Sequence, residues 1–229
     1  MADPAASATA PAQPQRQWTF VIDLRRCDGC GKCTLACQQE HHLPKSFEWI
    51  KVFRLQDETG RESYMPRPCM QCENAPCLRV CPVGATFKEP DGVILVDQGR
   101  CIGCRMCMAA CPYGARYFNY DDPPAYNNPF GKATPEFPVP QQKGTVGKCM
   151  FCVHRTESGN PRLPACVEAC TMGALYVGDL DQDIAVNGPG ETVRLMPFVR
   201  ENDGFRYKEE LGTSPRVYYI AGHGQDLEY

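Results

Sequence analysis

Long apolar runs are missing from this chain of 229 residues; the longest candidates, such as Val93 to Val96, are the length of a short strand. Crossing a bilayer takes about 20 apolar residues in a row. The chain therefore has no direct membrane span, and any membrane association must run through a partner. An excess of positive charge is missing too. Lys and Arg number 24 against 27 Asp and Glu, a formal net charge of −3, which argues against a nucleic-acid partner. No serine–histidine or paired-carboxylate constellation is present, so the chain is not expected to be an enzyme by itself. A mean hydropathy of −0.40 and 43% hydrophobic residues point to a soluble protein.

Long regular structure is scarce as well, because 21 prolines and 20 glycines impose many turns. The opening stretch MADPAASATAPAQPQ is small, rich in Ala and Pro, and reads with residues 16–17 as a disordered lead. Arg25 and Arg26 resemble an export signal superficially, but no apolar segment accompanies them, so they read as surface arginines.

Cysteine is what the chain has in plenty: 16 residues in four groups of four. Cys27, Cys30, Cys33 and Cys37 are spaced C-x2-C-x2-C-x3-C, and Cys101, Cys104, Cys107 and Cys111 repeat the spacing with Pro112 behind. Cys69, Cys72, Cys77 and Cys81 stretch the third gap and end on Pro82; Cys149, Cys152, Cys166 and Cys170 stretch it to a thirteen-residue loop. This is the bacterial ferredoxin ligand run written four times, and it predicts four [4Fe-4S] clusters. Three closely spaced thiolates on a tight loop can reach three corners of one cube. The fourth, on a helix it would start, is carried toward the neighbouring cube. Pro82 and Pro112 suit such a helix start. Gly84 and Gly114, in CPVGA and CPYGA, and the related CTMGA at Cys170 would let backbone approach inorganic sulfur. Disulfides fit poorly, because CDGCGKC crowds its thiols too closely for mutual pairing. Zinc knuckles explain neither the third cysteine nor the following proline. With about −2 for each cubane and its thiolates, the loaded chain would carry about −11.

Exchange of fourth cysteines between adjacent groups makes a two-cluster module of the middle groups, and a second module of the outer ones. Cys27, Cys30, Cys33 and Cys170 would bind one cluster, and Cys37, Cys149, Cys152 and Cys166 its neighbour. Cys69, Cys72, Cys77 and Cys111 would bind a third, and Cys81, Cys101, Cys104 and Cys107 the fourth. Pairing within each group is the rival, and ferredoxin geometry argues against it. The expected fold class is α+β: two dicluster-ferredoxin-like modules, one inserted in the other, with short strands and helices and much irregular loop. The outer module would comprise residues 18–65 and 145–180, and the inserted one 66–120. Residues 121–144 would form a surface loop and 181–229 a C-terminal docking arm. Strands are predicted at Trp18 to Leu24 and in hairpins at Trp49 to Leu55 with Ser63 to Met65, and Thr86 to Lys88 with Val93 to Val96. Short helices are expected after Cys33, Cys77, Cys107 and Cys166.

From about Trp18 to Gly222 the chain resembles the four-cluster iron–sulfur subunits of molybdopterin oxidoreductases. RPCMQCENAPCLRVCPVGAT, CIGCRMCMAACPYGARYFNY, KCMFCVHR, PACVEACTMGAL and EELGTSPRVYYI carry the resemblance. It implies an electron relay between a catalytic subunit with a molybdenum or tungsten bis-pterin and an integral membrane, quinone-binding anchor subunit. The missing C-terminal membrane helix points to the polysulfide, tetrathionate and sulfite type, as a peripheral subunit on either face of the membrane. Formate dehydrogenase, hydrogenase and menaquinone reductase subunits, or a free polyferredoxin, are the alternatives. Some family members have Trp at the position of Cys104 and hold a three-iron cluster; Cys104 implies a cubane. Thr171 departs from the proline that follows the last cysteine at Cys81 and Cys111.

Several residues beside the loops are candidates for tuning the clusters. Lys32, Arg105 and Lys148 would favour the reduced form, while His154 and Arg155 would donate to sulfur or to a partner. His41 and His42 are expected to pack in a loop near the first cluster. Tyr113, Tyr117, Phe118 and Phe151 are expected to shield clusters from water.

Overall fold

The computed structural model describes residues 16–122, 131–157 and 161–222. In chain order the elements are β1 (Trp18–Asp23), α1 (Lys32–Glu40), β2 (Lys51–Gln56), β3 (Glu62–Arg67), α2 (Pro76–Arg79), β4 (Thr86–Lys88), β5 (Ile94–Val96), α3 (Met106–Ala110) and β6 (Tyr117–Phe118). They continue with β7 (Val146–Gly147), α4 (Val153–Thr156), α5 (Ala165–Glu168), β8 (Leu175–Asp179), β9 (Ile184–Asn187), β10 (Thr192–Arg194), α6 (Leu195–Glu201) and β11 (Val217–Ile220).

A five-stranded sheet in the order β10, β9, β8, β1, β11 organises the fold. The alternation in Trp18 to Asp23 sends successive side chains to opposite faces. Phe20 and Ile22, with Leu175 and Val177 of β8 and Val217 and Tyr219 of β11, face the core that also contains buried cysteines. Val21, Tyr176, Tyr218 and Ile220 face the other way, onto Leu195 and Val199 of α6. Full burial of each large apolar side chain on that second face contributes about 1.5–3 kcal/mol. Asp183 fixes the start of α6, its carbonyl accepting from Leu195 N at 3.0 Å and its Oδ1 from Met196 N at 2.7 Å. Residues 181–222 are thus woven into the sheet and its cover, and only their outer face is available to a partner.

Both predicted hairpins form. β2 pairs with β3, and Asp57 Oδ1 accepts from Thr59 N and Arg61 N at 2.9 and 2.8 Å to shape their turn. β4 pairs with β5, Thr86 standing opposite Val96. The stretch 121–144 is irregular as far as it is described, residues 123–130 lying outside the described chain. It does not lie wholly on the surface: Phe137 and Val139 are buried.

Helices stand where the third cysteines lead, and α4 and α6 go beyond that expectation. The expected role of the prolines is corrected. Cys33, Cys77, Cys107 and Cys166 sit within the first two residues of α1, α2, α3 and α5, so the third cysteine, not the fourth, begins each helix. Cys81, Cys111 and Cys170 come at or after a helix end, and Pro82 and Pro112 open a turn there. Gly84 N and Gly114 N donate to the carbonyls of Cys81 and Cys111 at 3.4 and 3.2 Å. That is proline at the second position of a β-turn, where its fixed φ is favourable and its missing N–H costs nothing.

Candidate metal centre

Two of the four ligand loops begin in backbone that glycine makes available, while in the loops from Cys69 and Cys149 the positive φ falls on Gln71, at 45°, and Phe151, at 63°. Gly29, Gly31 and Gly103 have φ of 73°, 71° and 69°, left-handed values that let thiols two residues apart turn toward one side. Asp28 Oδ1 accepts from Cys30 N at 3.1 Å and pins the first loop. After the fourth cysteines, Gly84, Gly114 and Gly173 have φ of 62°, 59° and 65°. That turn brings N–H groups back onto sulfur: Thr86 N lies 3.5 Å from Cys81 Sγ and Ala174 N 3.3 Å from Cys170 Sγ. Burial pushes the Cys81 thiol up, but backbone N–H groups of Thr86, Val83 and Ala85 outweigh it and set the thiol below its ordinary range. Thr171 leaves this device intact, and its hydroxyl lies 3.3 Å from Lys32 Nζ.

The sixteen thiols gather across the chain rather than within each sequence group. Cys27 lies beside Cys170 and Cys30, and Cys33 beside Cys27 and Cys170. Cys37, inside α1, lies among Cys152, Cys149 and Cys166. Cys72 lies among Cys69, Cys77 and Cys111. Cys81, Cys101, Cys104 and Cys107 line one cavity, together with Val83, Ile102 and Arg105. The helices explain the exchange, since α1 packs on α5 and α2 on α3. Neighbouring gatherings come within electrostatic reach of one another at Cys33 with Cys37 and Cys166, at Cys69 with Cys149, and at Cys77 with Cys107.

Burial raises most of these thiols above the ordinary range. It pushes Cys27 and Cys149 to about 11 and Cys33, Cys72 and Cys152 to about 12, and it takes Cys37 and Cys166 well above the usual value. Such thiols keep their protons unless a metal replaces them. Among the described residues no three His, Cys, Asp or Glu side chains converge as a single-ion site. Four thiolates on one zinc would stand roughly 3.8 Å apart, at about 2.3 Å from the ion. The donor set therefore fits an all-thiolate polynuclear group, as an iron–sulfur cubane is.

The tuning candidates divide. Lys148 is buried, and its ammonium donates to the carbonyls of Ile94 and Cys149, the latter at 2.7 Å, which places a cation beside the Cys149 thiol. Arg105 lines the Cys104 cavity with its guanidinium 5.0 Å from the Phe118 ring centre. Lys32 stays near the surface beside Thr171. His154 and Arg155 meet carboxylates: Glu40 takes a 2.8 Å bond from each, and Arg155 also pairs with Glu168. His41 is the C-cap of α1, in the turn that follows the helix, 1% exposed, with Nε2 3.2 Å from Cys152 Sγ. Phe151 and Tyr113 are buried as expected of shielding residues, while Tyr117 and Phe118 are half-buried.

Sequence reasoning misses Arg116. It is 4% exposed, donates from Nη1 to Thr86 Oγ1 at 3.1 Å, and lies close to Cys77, Cys107 and Cys69. Its one signal in the sequence is a lone cation following CPYGA and preceding the apolar pair of β6.

Comparison with known proteins accords with this donor set. Residues 15–85 and 61–125 each match a model described as a 4Fe-4S dicluster domain. A subunit of the selenate reductase of Mesobacillus selenatarsenatis is 40% identical over 222 residues, covering 90% of this chain and 72% of that relative. The iron-sulfur cluster-binding subunit of menaquinone reductase from Nitratidesulfovibrio vulgaris is 38% identical, with 90% and 89% covered. A subunit of the tetrathionate reductase of Salmonella typhimurium is 36% identical, with 95% and 80% covered. With similarity of this extent and sixteen thiols drawn together to hold 4Fe-4S clusters, the chain belongs to the iron–sulfur (beta) subunits of the molybdopterin oxidoreductases and is an electron-transfer subunit, not a catalytic one.

Proposed function

We propose that the chain carries four [4Fe-4S] clusters in a row and relays electrons between a molybdopterin catalytic subunit and a quinone-reactive membrane anchor. The ligand sets would be Cys27, Cys30, Cys33 and Cys170; Cys37, Cys149, Cys152 and Cys166; Cys69, Cys72, Cys77 and Cys111; and Cys81, Cys101, Cys104 and Cys107, in that order. Bound cubanes supply one-electron transfer; the chain holds them close, keeps water out and sets their potentials. The two middle sets belong to different modules, so residues 66–120 would be an insertion in a module made of 18–65 and 145–180.

One observation carries this reading. Of the sixteen thiols only Cys30 and Cys104 are exposed, one in each end set. A row whose middle sets expose no thiol and whose end sets each expose one has one way in and one way out. Large apolar side chains stand exposed near each end in sequence: Leu35 and Met172 beside the first set, Val83, Ile102 and Met106 beside the last. Two such collars favour a subunit docked at both ends over a freely diffusing polyferredoxin. Among the described residues no helix is long and apolar enough to cross a membrane, so the proposed membrane contact runs through the anchor subunit.

Iron and acid-labile sulfide assays on anaerobically purified complex test the count, and four cubanes are expected. The Cys104→Trp variant tests the last set. It should turn one cubane into a three-iron cluster with its own paramagnetic signal in the oxidised protein, and an unchanged spectrum would refute that assignment.

A further inference from the structure

We infer that Arg116 is a positioning residue that raises the reduction potentials of two neighbouring clusters at once, those of the third and fourth ligand sets. The inference rests on the four-cluster reading above. Arg116 is buried to 4% exposure, and Nη1 is held by Thr86 Oγ1 at 3.1 Å. Thr86 opens β4 directly after the turn, and its own N–H lies 3.5 Å from Cys81 Sγ, so the guanidinium is anchored to the fourth set. Nε and Nη2 are buried and find no oxygen acceptor, and the thiols of Cys77 and Cys107 are the remaining hydrogen-bonding neighbours of this side chain. No carboxylate pairs with this guanidinium among the described residues, although the other buried arginines there have one: Arg155 meets Glu40 and Arg216 meets Glu73.

A buried guanidinium cannot shed its charge, and an isolated buried cation is costly. Something anionic must therefore compensate it. Among the described residues the groups near enough are thiols: Cys77 and Cys69 of the third set and Cys107 of the fourth. Deprotonated and carrying clusters, those sets supply the missing anion, and their sulfurs supply acceptors for the two orphaned N–H groups. When either cluster takes one electron from its redox partner, its negative charge grows by one, no bond changes and Arg116 keeps its proton. A fixed cation is attracted more strongly to the reduced form, which raises the potential. Standing between two sets, the same charge acts on both, and it makes this pair a resting place for electrons within the row.

The test uses the anaerobically purified complex with Arg116→Gln and Arg116→Lys chains, assayed for iron and sulfide and titrated redox-potentiometrically under paramagnetic resonance. In the Gln variant the reduction equilibrium of two clusters should fall at least tenfold, about 59 mV for a one-electron couple, while the other two move less than threefold. The Lys variant keeps the charge and should stay within tenfold of wild type. A fully loaded Gln variant with all potentials within threefold of wild type would overturn this inference alone, as would an equal shift in all four clusters. Should the Gln variant lose iron, the Lys variant decides, and a tenfold fall there counts against Arg116. Wild-type protein lacking either cubane would overturn the four-cluster reading and this inference with it.

Discussion

Glu40 is the residue on which the charges behind the second ligand set converge. His154 Nε2 and Arg155 Nη1 each stand 2.8 Å from its carboxylate, and their hydrogen bonds and charge hold it at about 2 despite burial that pushes it up. A depressed carboxylate stabilises the fold fully above its unfolded value of about 4.3 and loses that contribution as pH falls toward the folded one. Glu40→Gln should therefore lower stability by about 1–2 kcal/mol near neutrality, discounted for a side chain still 27% exposed. The gap in melting temperature between wild type and variant should stay flat from about pH 8 to 5 and narrow below about pH 4.3. A gap that widens on acidification would reverse the sign. His41, beside it, is pulled down to about 3 by burial, and its Nε2 faces Cys152 at 3.2 Å.

At the scale of elements, the turns after the fourth cysteines and the loops before the third make different demands on glycine. Gly114 has φ of 59°, and a Cβ built there meets no protein atom within 4 Å. Gly103 has φ of 69° and would drive a Cβ into the carbonyl oxygen of Gly144. Gly114→Ala should cost about 1–2 kcal/mol, the left-handed penalty alone, and Gly103→Ala clearly more, as thermal unfolding of the loaded complex would measure. A loss at Gly114 as large as that at Gly103 would mean that inorganic sulfur fills the space the Cβ needs. Much of this level is legible in the sequence. Alternation discloses β1 and both hairpins, and cysteine spacing discloses the ligand loops and the helices that begin at Cys33, Cys77, Cys107 and Cys166. What the sequence conceals is pairing at a distance. β11 joins β1 in parallel, Val217 opposite Phe20, and nothing local in VYYI announces that partner. Arg116 is hidden for the same reason: a cation reads as surface until the fold closes thiols from two other loops around it.

On the scale of the whole molecule, charge and apolar surface pull in opposite directions. The loaded chain would carry about −11, enough to keep copies of it apart. Ile102 at 64% and Leu35 at 55% exposure nevertheless stand close in sequence to the only two exposed thiols. Electron transfer between subunits needs close approach at these ends, and apolar contact provides it without a charged layer in between. Met106, 54% exposed, stands close in sequence to the same thiol as Ile102. Met106→Asp and Leu35→Asp should leave iron content and melting temperature near wild type, because neither side chain is packed in the core. Each should weaken a different partner: co-purification should lose the catalytic subunit with one variant and the membrane anchor with the other. Loss of the same partner from both variants would place the two collars on one interface, and a row of clusters with both ends on one partner could not carry electrons across.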